Sequence, residues 1–107
     1  MTELFEEIAS LDKLIHEPAR LAILTALSAC ASADFLFLGR LTGLSKGNLS
    51  SHLSKLEEAG LVDIVKQFIG KKPNTLVSLT ENGRIAITRH WQQLDNLRNG
   101  AQTWEPK

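Results

Sequence analysis

The sequence GLSKGNLSSHLSKLEEAGLV, residues 43–62 of this 107-residue chain, contains signals for both the start and the end of one helix. Ser45 belongs to the residue types that cap helix N-termini with a side-chain oxygen. Gly60 suits the left-handed position that follows a helix, because glycine adopts a positive φ at little cost. These signals predict a helix over residues 46–59.

A second helix is expected immediately before this one. Asp34 can cap a segment over residues 35–42, and Gly43 suits its end. The start of this segment, Phe35-Leu36-Phe37-Leu38, is continuously apolar and is equally typical of a short strand. Two helices joined by a tight, glycine-containing turn predict a helix-turn-helix.

The hydrophobic period changes from helical to extended after this pair of helices. Val62, Ile64 and Val65 begin an extended pattern, residues 70–74 are rich in turn formers, and residues 75–79 alternate on the return. The sequence therefore predicts a β-hairpin whose basic tip, the wing, covers residues 66–75. The expected fold is mainly α with a small β-hairpin wing, a winged helix-turn-helix.

Further helices are expected on both sides of this unit. An N-terminal amphipathic helix, with Thr2 as its N-cap, is predicted by an apolar stripe of Leu4, Ile8, Leu11 and Ile15, widened by Phe5. Pro18 suits the first turn of the next helix, and Thr80 can cap the last one. We expect a single domain over residues 1–99 and a flexible tail over residues 100–107.

The exposed face of helix 46–59 has the character of a DNA-reading surface. Its three leucines fall on one side of a helical wheel, and small hydroxyls, an amide and lysines lie on the other side or its shoulders. Small side chains permit close approach to the major groove, Asn can pair with adenine, and Lys can reach guanine or phosphate. With two lysines of the wing, the candidate DNA contacts are Ser45, Lys46, Gly47, Asn48, Ser50, Ser51, Ser54, Lys55, Lys71 and Lys72.

The charge of the chain is informative only in its distribution. Twelve Lys and Arg balance twelve Asp and Glu, so the total charge does not indicate a nucleic-acid partner. Residues 1–17 nevertheless hold five acids and one base, whereas residues 40–75 hold six bases and three acids. Because salt screens charges beyond about 8 Å, a local basic patch is what a polyanion would recognise.

Two polar residues admit two interpretations each. His52 borders the core side of helix 46–59, so a structural hydrogen bond to a neighbouring helix and a phosphate contact are equally compatible with its position. Arg20 can pair with Glu17 or reach a phosphate.

Catalytic and metal chemistry find little support in the sequence. Three isolated histidines and the single Cys30 form no metal-ligand pair, and phosphate-binding, dinucleotide and nucleophile motifs are absent. We therefore expect neither an enzyme nor a cofactor. Apolar runs are too short for a membrane span, and one unpaired cysteine fits a reduced, cytoplasmic location.

The sequence of residues 45–62 resembles the recognition helix and strand entry of small winged helix-turn-helix transcriptional regulators near the MarR and ArsR families. Residues 18–24 and 79–84 resemble the openings of that group's second and last helices. The resemblance implies a homodimeric DNA-binding regulator, usually a repressor, whose first and last helices form the dimer contact. Metal-sensing ArsR members carry cysteines in the helix before the recognition helix, where residues 35–42 have none.

The residues themselves also indicate a dimer, because two apolar stripes exceed what one small core obviously needs. The candidate dimer residues are Leu4, Phe5, Ile8, Leu11, Ile87, Trp91, Leu94 and Leu97. Packing of both stripes on the chain's own core is the alternative.

Two other functions remain open. The first is a winged-helix protein-interaction module in a larger assembly without direct DNA binding, which the neutral net charge permits. The second is a sensor that holds a small-molecule effector near Trp91; no particular effector is indicated by the sequence.

Overall fold

The computed structural model describes residues 2–106 and contains five helices and three strands within them. The helices are α1 (Thr2–Ala9), α2 (Pro18–Ser28), α3 (Phe35–Thr42), α4 (Lys46–Glu58) and α5 (Glu81–Thr103). The strands are β1 (Ala33–Asp34), β2 (Val62–Ile69) and β3 (Lys72–Leu79). This is the expected winged helix-turn-helix, mainly α with a small hairpin.

The helices enclose one apolar core against a small antiparallel sheet. The sheet has the order β1-β3-β2, and the hairpin register pairs Val62 with Leu79 at its base and Ile69 with Lys72 at its tip. Helix α2 packs against α3, α4 and α5. The core comprises Ile23, Leu24, Leu27, Leu38, Leu49, Leu53, Leu56, Val62, Val77 and Ile87 among others. Burial of these side chains fixes the outward face of α4.

The predicted start of α4 is confirmed, and the helix ends at Glu58, one residue before the predicted end. The Ser45 side chain accepts a hydrogen bond from the Asn48 backbone N–H at 3.2 Å. At the other end Gly60 has a φ of 77°, its N–H donates to the Glu57 carbonyl, and the Leu61 N–H donates to the Leu56 carbonyl at 3.0 Å. This double hydrogen bond is the Schellman ending, which stops the helix and turns the chain into β2.

The apolar run Phe35–Leu38 is helical, so the helix alternative is confirmed and the strand alternative for these residues was wrong. Ala33 and Asp34 form the two-residue β1, which pairs with β3, and the helix starts at the next residue. The Asp34 carboxylate accepts from the Phe37 N–H at 2.7 Å, and Gly43 ends the helix with a φ of 72°. The caps therefore decided the boundary that the apolar run left open.

The N-terminal helix is shorter than its apolar stripe predicted, and extending it to Ile15 was wrong. Helix α1 ends at Ala9, and turns follow it. The Ser10 hydroxyl donates to the Glu7 carbonyl, and the Asp12 carboxylate accepts from the Leu14 N–H at 2.9 Å. Such side-chain bonds to nearby backbone compete with helix continuation. The side chain of Thr2, the predicted cap, lies outside the described residues.

The last helix continues through the expected start of the flexible tail and ends at Thr103. Its N-cap is Thr80, as predicted, whose side chain accepts from the Gly83 N–H. Beyond the helix, the Trp104 ring packs edge-on against Phe5 with centroids 5.1 Å apart. An aromatic contact thus joins the two ends of the chain, while Met1 and Lys107 lie outside the described residues.

The wing also differs in detail, because its turn is tighter than the composition indicated. Only Gly70 and Lys71 lie between the strands, and β3 starts at Lys72. Gly70 has a φ of 63°, the positive value that two-residue hairpin turns require at their first central residue. The hairpin consequently projects as a regular two-stranded arm.

Candidate nucleic-acid interface

Helix α4 presents its polar side to solvent because its leucines pack into the core. Leu49, Leu53 and Leu56 are buried. All of the candidate DNA contacts are exposed, namely Ser45, Lys46, Gly47, Asn48, Ser50, Ser51, Ser54, Lys55, Lys71 and Lys72. The structure therefore brings the first eight together along one helix and places the two wing lysines at the hairpin tip.

The N-terminal end of α4 is suited to approach an anion. Ser45 satisfies the N–H of Asn48, and the first backbone N–H groups of a helix have no partner within it. Together with the helix dipole, these groups attract phosphate. A Cβ added at Gly47 would meet nothing within 4 Å, so no neighbouring atom of the described chain requires a glycine there.

A groove of about 550 Å³ separates α4 from the wing. Its helix side includes Ser50 and Ser54, and its sheet side includes Lys66 and Thr75. Lys66 lies directly opposite Thr75 in the hairpin register, so both side chains emerge on the sheet face that looks toward α4. Glu57 is the acidic residue among those that line the groove.

Lys66 and Thr75 were not among the individually predicted contacts, although they are the first and last residues of the predicted wing. Strand alternation would have placed Lys66 on the same face as Ile64, which packs against the core. The missing information was that this face continues beyond the core and borders α4.

Arg20 connects the segment before α2 to α4. This buried guanidinium donates through Nε to the Leu14 carbonyl at 2.6 Å and through a terminal nitrogen to the Lys13 carbonyl at 3.3 Å. Its other terminal nitrogen lies 3.0 Å from Nδ1 of His52 on α4. Because guanidinium only donates, Nδ1 of His52 accepts in this contact and its ring proton resides on Nε2.

Arg20 therefore has an internal role, and Nδ1 of His52 has an internal partner. Glu17 approaches Arg20 only to 3.9 Å, and its carboxylate instead accepts from the Arg20 backbone N–H at 2.9 Å. Partial desolvation of Glu17 raises its pKa, but the backbone N–H groups of Arg20 and Ala19 and the nearby Arg20 guanidinium outweigh this and lower the pKa below its usual value. The carboxylate thereby acts as the N-cap of α2.

Comparison with known proteins identifies the family of this fold. Residues 19–97 match the family described as "Winged helix DNA-binding domain". The chain belongs to the winged helix DNA-binding domain family. That family consists of DNA-binding regulators rather than enzymes.

Individual proteins of this winged helix type are similar over much of the chain. A transcriptional regulator homologue from Pyrococcus horikoshii OT3 is 31% identical, with a TM-score of 0.83 and coverage of 92% of this chain and 97% of its own. The HTH-type transcriptional regulator YgaV of Escherichia coli K12 is 40% identical over 58 residues, 54% of this chain and 59% of its own length. A mutant MarR from Escherichia coli shares the fold at 22% identity, with a TM-score of 0.72 and coverage of 91% and 69%. The resemblance to winged helix transcriptional regulators is thus confirmed, and the likeness to MarR is one of fold.

Most of the apolar residues expected at a dimer surface of this winged helix protein are at least partly exposed on the single chain. Phe5, Ile8 and Trp91 are exposed, and Leu4 and Leu94 are half-buried. By contrast Leu11, Ile87 and Leu97 are buried within the chain itself, as the alternative interpretation of the stripes predicted for them. The indole N–H of Trp91 donates to the Thr25 hydroxyl at 2.9 Å, so it already has an internal partner.

The described residues contain no group of three or more His, Cys, Asp or Glu side chains placed to hold a metal ion. Within residues 2–106, no helix is both long enough and apolar enough to cross a membrane. Cys30 is a half-buried thiol against the core, with its sulfur 3.6 Å from the Ala26 carbonyl oxygen.

Proposed function

We propose that this winged helix protein is a sequence-specific DNA-binding transcriptional regulator, a cytoplasmic repressor that acts as a homodimer on double-stranded DNA. Helix α4 enters the major groove, and the β2–β3 hairpin touches the backbone or the minor groove. The strongest support is the exposed strip of small polar and basic residues on α4, which shares a groove with a basic wing. Membership of a DNA-binding family supports the same role.

The acid-free part of α4 gives the proposed orientation. Acids on this helix are confined to Glu57 and Glu58 in its last turn, so the first three turns can approach phosphates without like-charge repulsion. Small side chains at Ser50, Ser51 and Ser54 leave room for close approach of the helix to base edges. The N-terminal half of α4 is therefore the half that reads the groove.

The direct test is a fluorescence titration of the full chain against duplexes selected from a random pool. Affinity should fall steeply with salt, and replacing Lys71 and Lys72 together by Ala should reduce the salt slope by about 0.9 for each phosphate that the wing no longer neutralises. Ser51→Glu should abolish binding while leaving the fold intact, since Ser51 is exposed. Absence of any duplex binding at low salt would refute the DNA-binding role, and full affinity of S51E would refute the assigned face.

The homodimer is supported by exposed apolar side chains on α1 and α5. Phe5 and Ile8 lie on α1, and Trp91 lies on α5. A symmetric pair would set two recognition helices about 34 Å apart, one turn of DNA. Sedimentation should show a dimer that Ile8→Asp converts to a folded monomer; a wild-type monomer at micromolar concentration would contradict the proposal.

A protein-interaction module is the second candidate, and one surface favours it. Leu36, Phe37 and Leu41 on α3 are all exposed, and they form an apolar face beside Arg40. This function predicts no duplex binding and stable capture of a heterologous partner that Leu41→Asp abolishes. Normal duplex binding by L41D would leave the DNA-binding role in place.

A further inference from the structure

The wing ends in large apolar side chains that the fold does not use. Phe68 is 73% exposed and Ile69 is 63% exposed, so most of the apolar surface of each contributes nothing to the core. Isolated apolar residues on a surface are common, but two adjacent ones at a projecting tip form a patch available to a partner.

The two side chains point to opposite faces of the hairpin. Successive residues of a strand alternate, so Phe68 shares its face with Lys66 and Ile69 does not. Lys66 lines the groove beside α4, and Phe68 lies two residues, roughly 7 Å, further toward the tip on that same face. Phe68 is therefore on the side of the wing that looks toward the proposed recognition helix.

The register supports a fixed position for Phe68. Pro73 lies directly opposite it. In a hairpin closed by two residues, the flanking pair Ile69–Lys72 exchanges the ladder hydrogen bonds and the next pair does not. Pro73, which has no N–H, therefore costs the ladder nothing, and the close approach typical of such pairs places its rigid ring beside the phenyl group.

The charge around the tip identifies the kind of partner. Residues 64–80 contain three lysines, Lys66, Lys71 and Lys72, and no acid. A local net charge of this sign favours a polyanion over an ordinary protein surface. An apolar side chain set among cations is the combination by which proteins wedge a base step open from the minor groove.

We propose that Phe68 is an apolar wedge that enters the DNA minor groove next to the site read by α4 and partly unstacks one base step. This inference rests on the proposed DNA-binding function and adds a source of sequence preference to it. Pyrimidine–purine steps unstack at the lowest cost, so the wedge favours operators that carry such a step beneath the wing. The flanking lysines hold the phosphates on either side.

The test uses the full chain and duplexes selected by the wild-type protein, with 2-aminopurine placed singly at successive positions flanking each half-site. The wild type should raise 2-aminopurine fluorescence at one flanking step. Phe68→Ala should abolish that rise and weaken binding to the selected duplex about tenfold, with an effect under about twofold on a random duplex. Ile69→Ala is the matched control on the opposite face and should change neither readout.

Phe68→Lys separates a wedge from a purely electrostatic tip. If the tip acts through charge alone, the added cation raises affinity; if Phe68 is a wedge, F68K loses the fluorescence rise as F68A does. Because the side chain is so exposed, both variants should keep the wild-type unfolding transition.

The possible results separate a failure of the wedge from a failure of the proposed DNA-binding function. No duplex binding by the wild type refutes the DNA-binding role itself. Salt-dependent binding with identical fluorescence and affinity for the wild type and F68A refutes the wedge alone. Wild-type adsorption to phosphatidylserine vesicles that F68A loses, with unchanged DNA readouts, identifies the tip as a lipid-binding element and also refutes the wedge.

Discussion

Replacing Gly47 by Ala should stabilise the protein and weaken its binding to DNA. Gly47 lies in the first turn of α4, is exposed, and leaves open space where a Cβ would stand. The added methyl group therefore clashes with nothing in the chain, and the change in stability is set by helix propensity. That gain is at most about 1 kcal/mol, which corresponds to roughly 4 °C in Tm for a domain of this size.

The same methyl group points to the side from which DNA is proposed to approach. If the backbone of the first turn lies against the groove wall, a Cβ at residue 47 forces the helix outward and increases the distance from several backbone N–H groups to the phosphates. We expect affinity to fall about tenfold, or about 1.4 kcal/mol. Thermal unfolding and a fluorescence titration on one preparation measure the two effects, which have opposite signs.

Gly39→Ala is the matched control. Gly39 lies in α3, and a Cβ there would make ordinary contacts, 3.8 Å from a Leu49 methyl carbon and 3.9 Å from the Leu44 carbonyl oxygen. The substitution should raise Tm by a similar amount and leave DNA affinity unchanged, since Gly39 is not on the outer face of α4. If G47A gains stability and binds DNA as tightly as the wild type, the proposed close approach of the backbone is wrong.

Three further substitutions test the scaffold that holds this surface. Gly83→Ala should destabilise the protein by about 3 kcal/mol in urea unfolding, or prevent folding, because the added Cβ would overlap the carbonyl of Leu61. This overlap outweighs the gain in helix propensity of about 1 kcal/mol. A stable G83A would contradict the tight contact. Arg20→Met should lower the free energy of unfolding by about 3 kcal/mol in the same assay, because the hydrogen bonds of the guanidinium disappear. A change within about 0.5 kcal/mol, the size typical of a surface substitution, would show that these hydrogen bonds contribute little. Burial and the charge of His16 lower the pKa of His90 below 6.5, so the unfolded chain binds more protons and stability should decline as pH falls below about 6.5. His90→Gln should flatten this decline in urea titrations at stepped pH, and an unchanged slope would exclude His90 as its source.

The sequence predicted those elements whose ends carry a chemical signal. Ser45, Asp34 and Thr80 cap helices as expected, and Gly43 and Gly60 take the left-handed positions. Capping is local, because the cap and its N–H partner lie within three residues of each other. Such boundaries can be read from sequence without knowledge of the tertiary structure.

Properties that depend on contacts between distant residues could not be read in this way. On a helical wheel Ile87 and Trp91 belong to the same apolar stripe, yet in the folded chain Ile87 is buried in the core and Trp91 is exposed. Lys66 joins the α4 groove only because the hairpin folds back beside that helix. The split of one stripe between core and surface depends on how α5 crosses the other helices, which its own sequence does not contain.

The segment between α1 and α2 connects distant parts of the fold. Arg20 is buried and needs acceptors, and it takes them from the carbonyls of Lys13 and Leu14. The residue four positions after Leu14 is Pro18, which has no N–H, so the Leu14 carbonyl has no helical donor and is available to the guanidinium. The same segment supplies His16, whose Nδ1 lies 3.0 Å from Nε2 of His90 on α5. This segment and Arg20 thus connect the last helix to His52 on α4. These partners lie on α2, α4 and α5, so the sequence of residues 10–17 alone could not have predicted them.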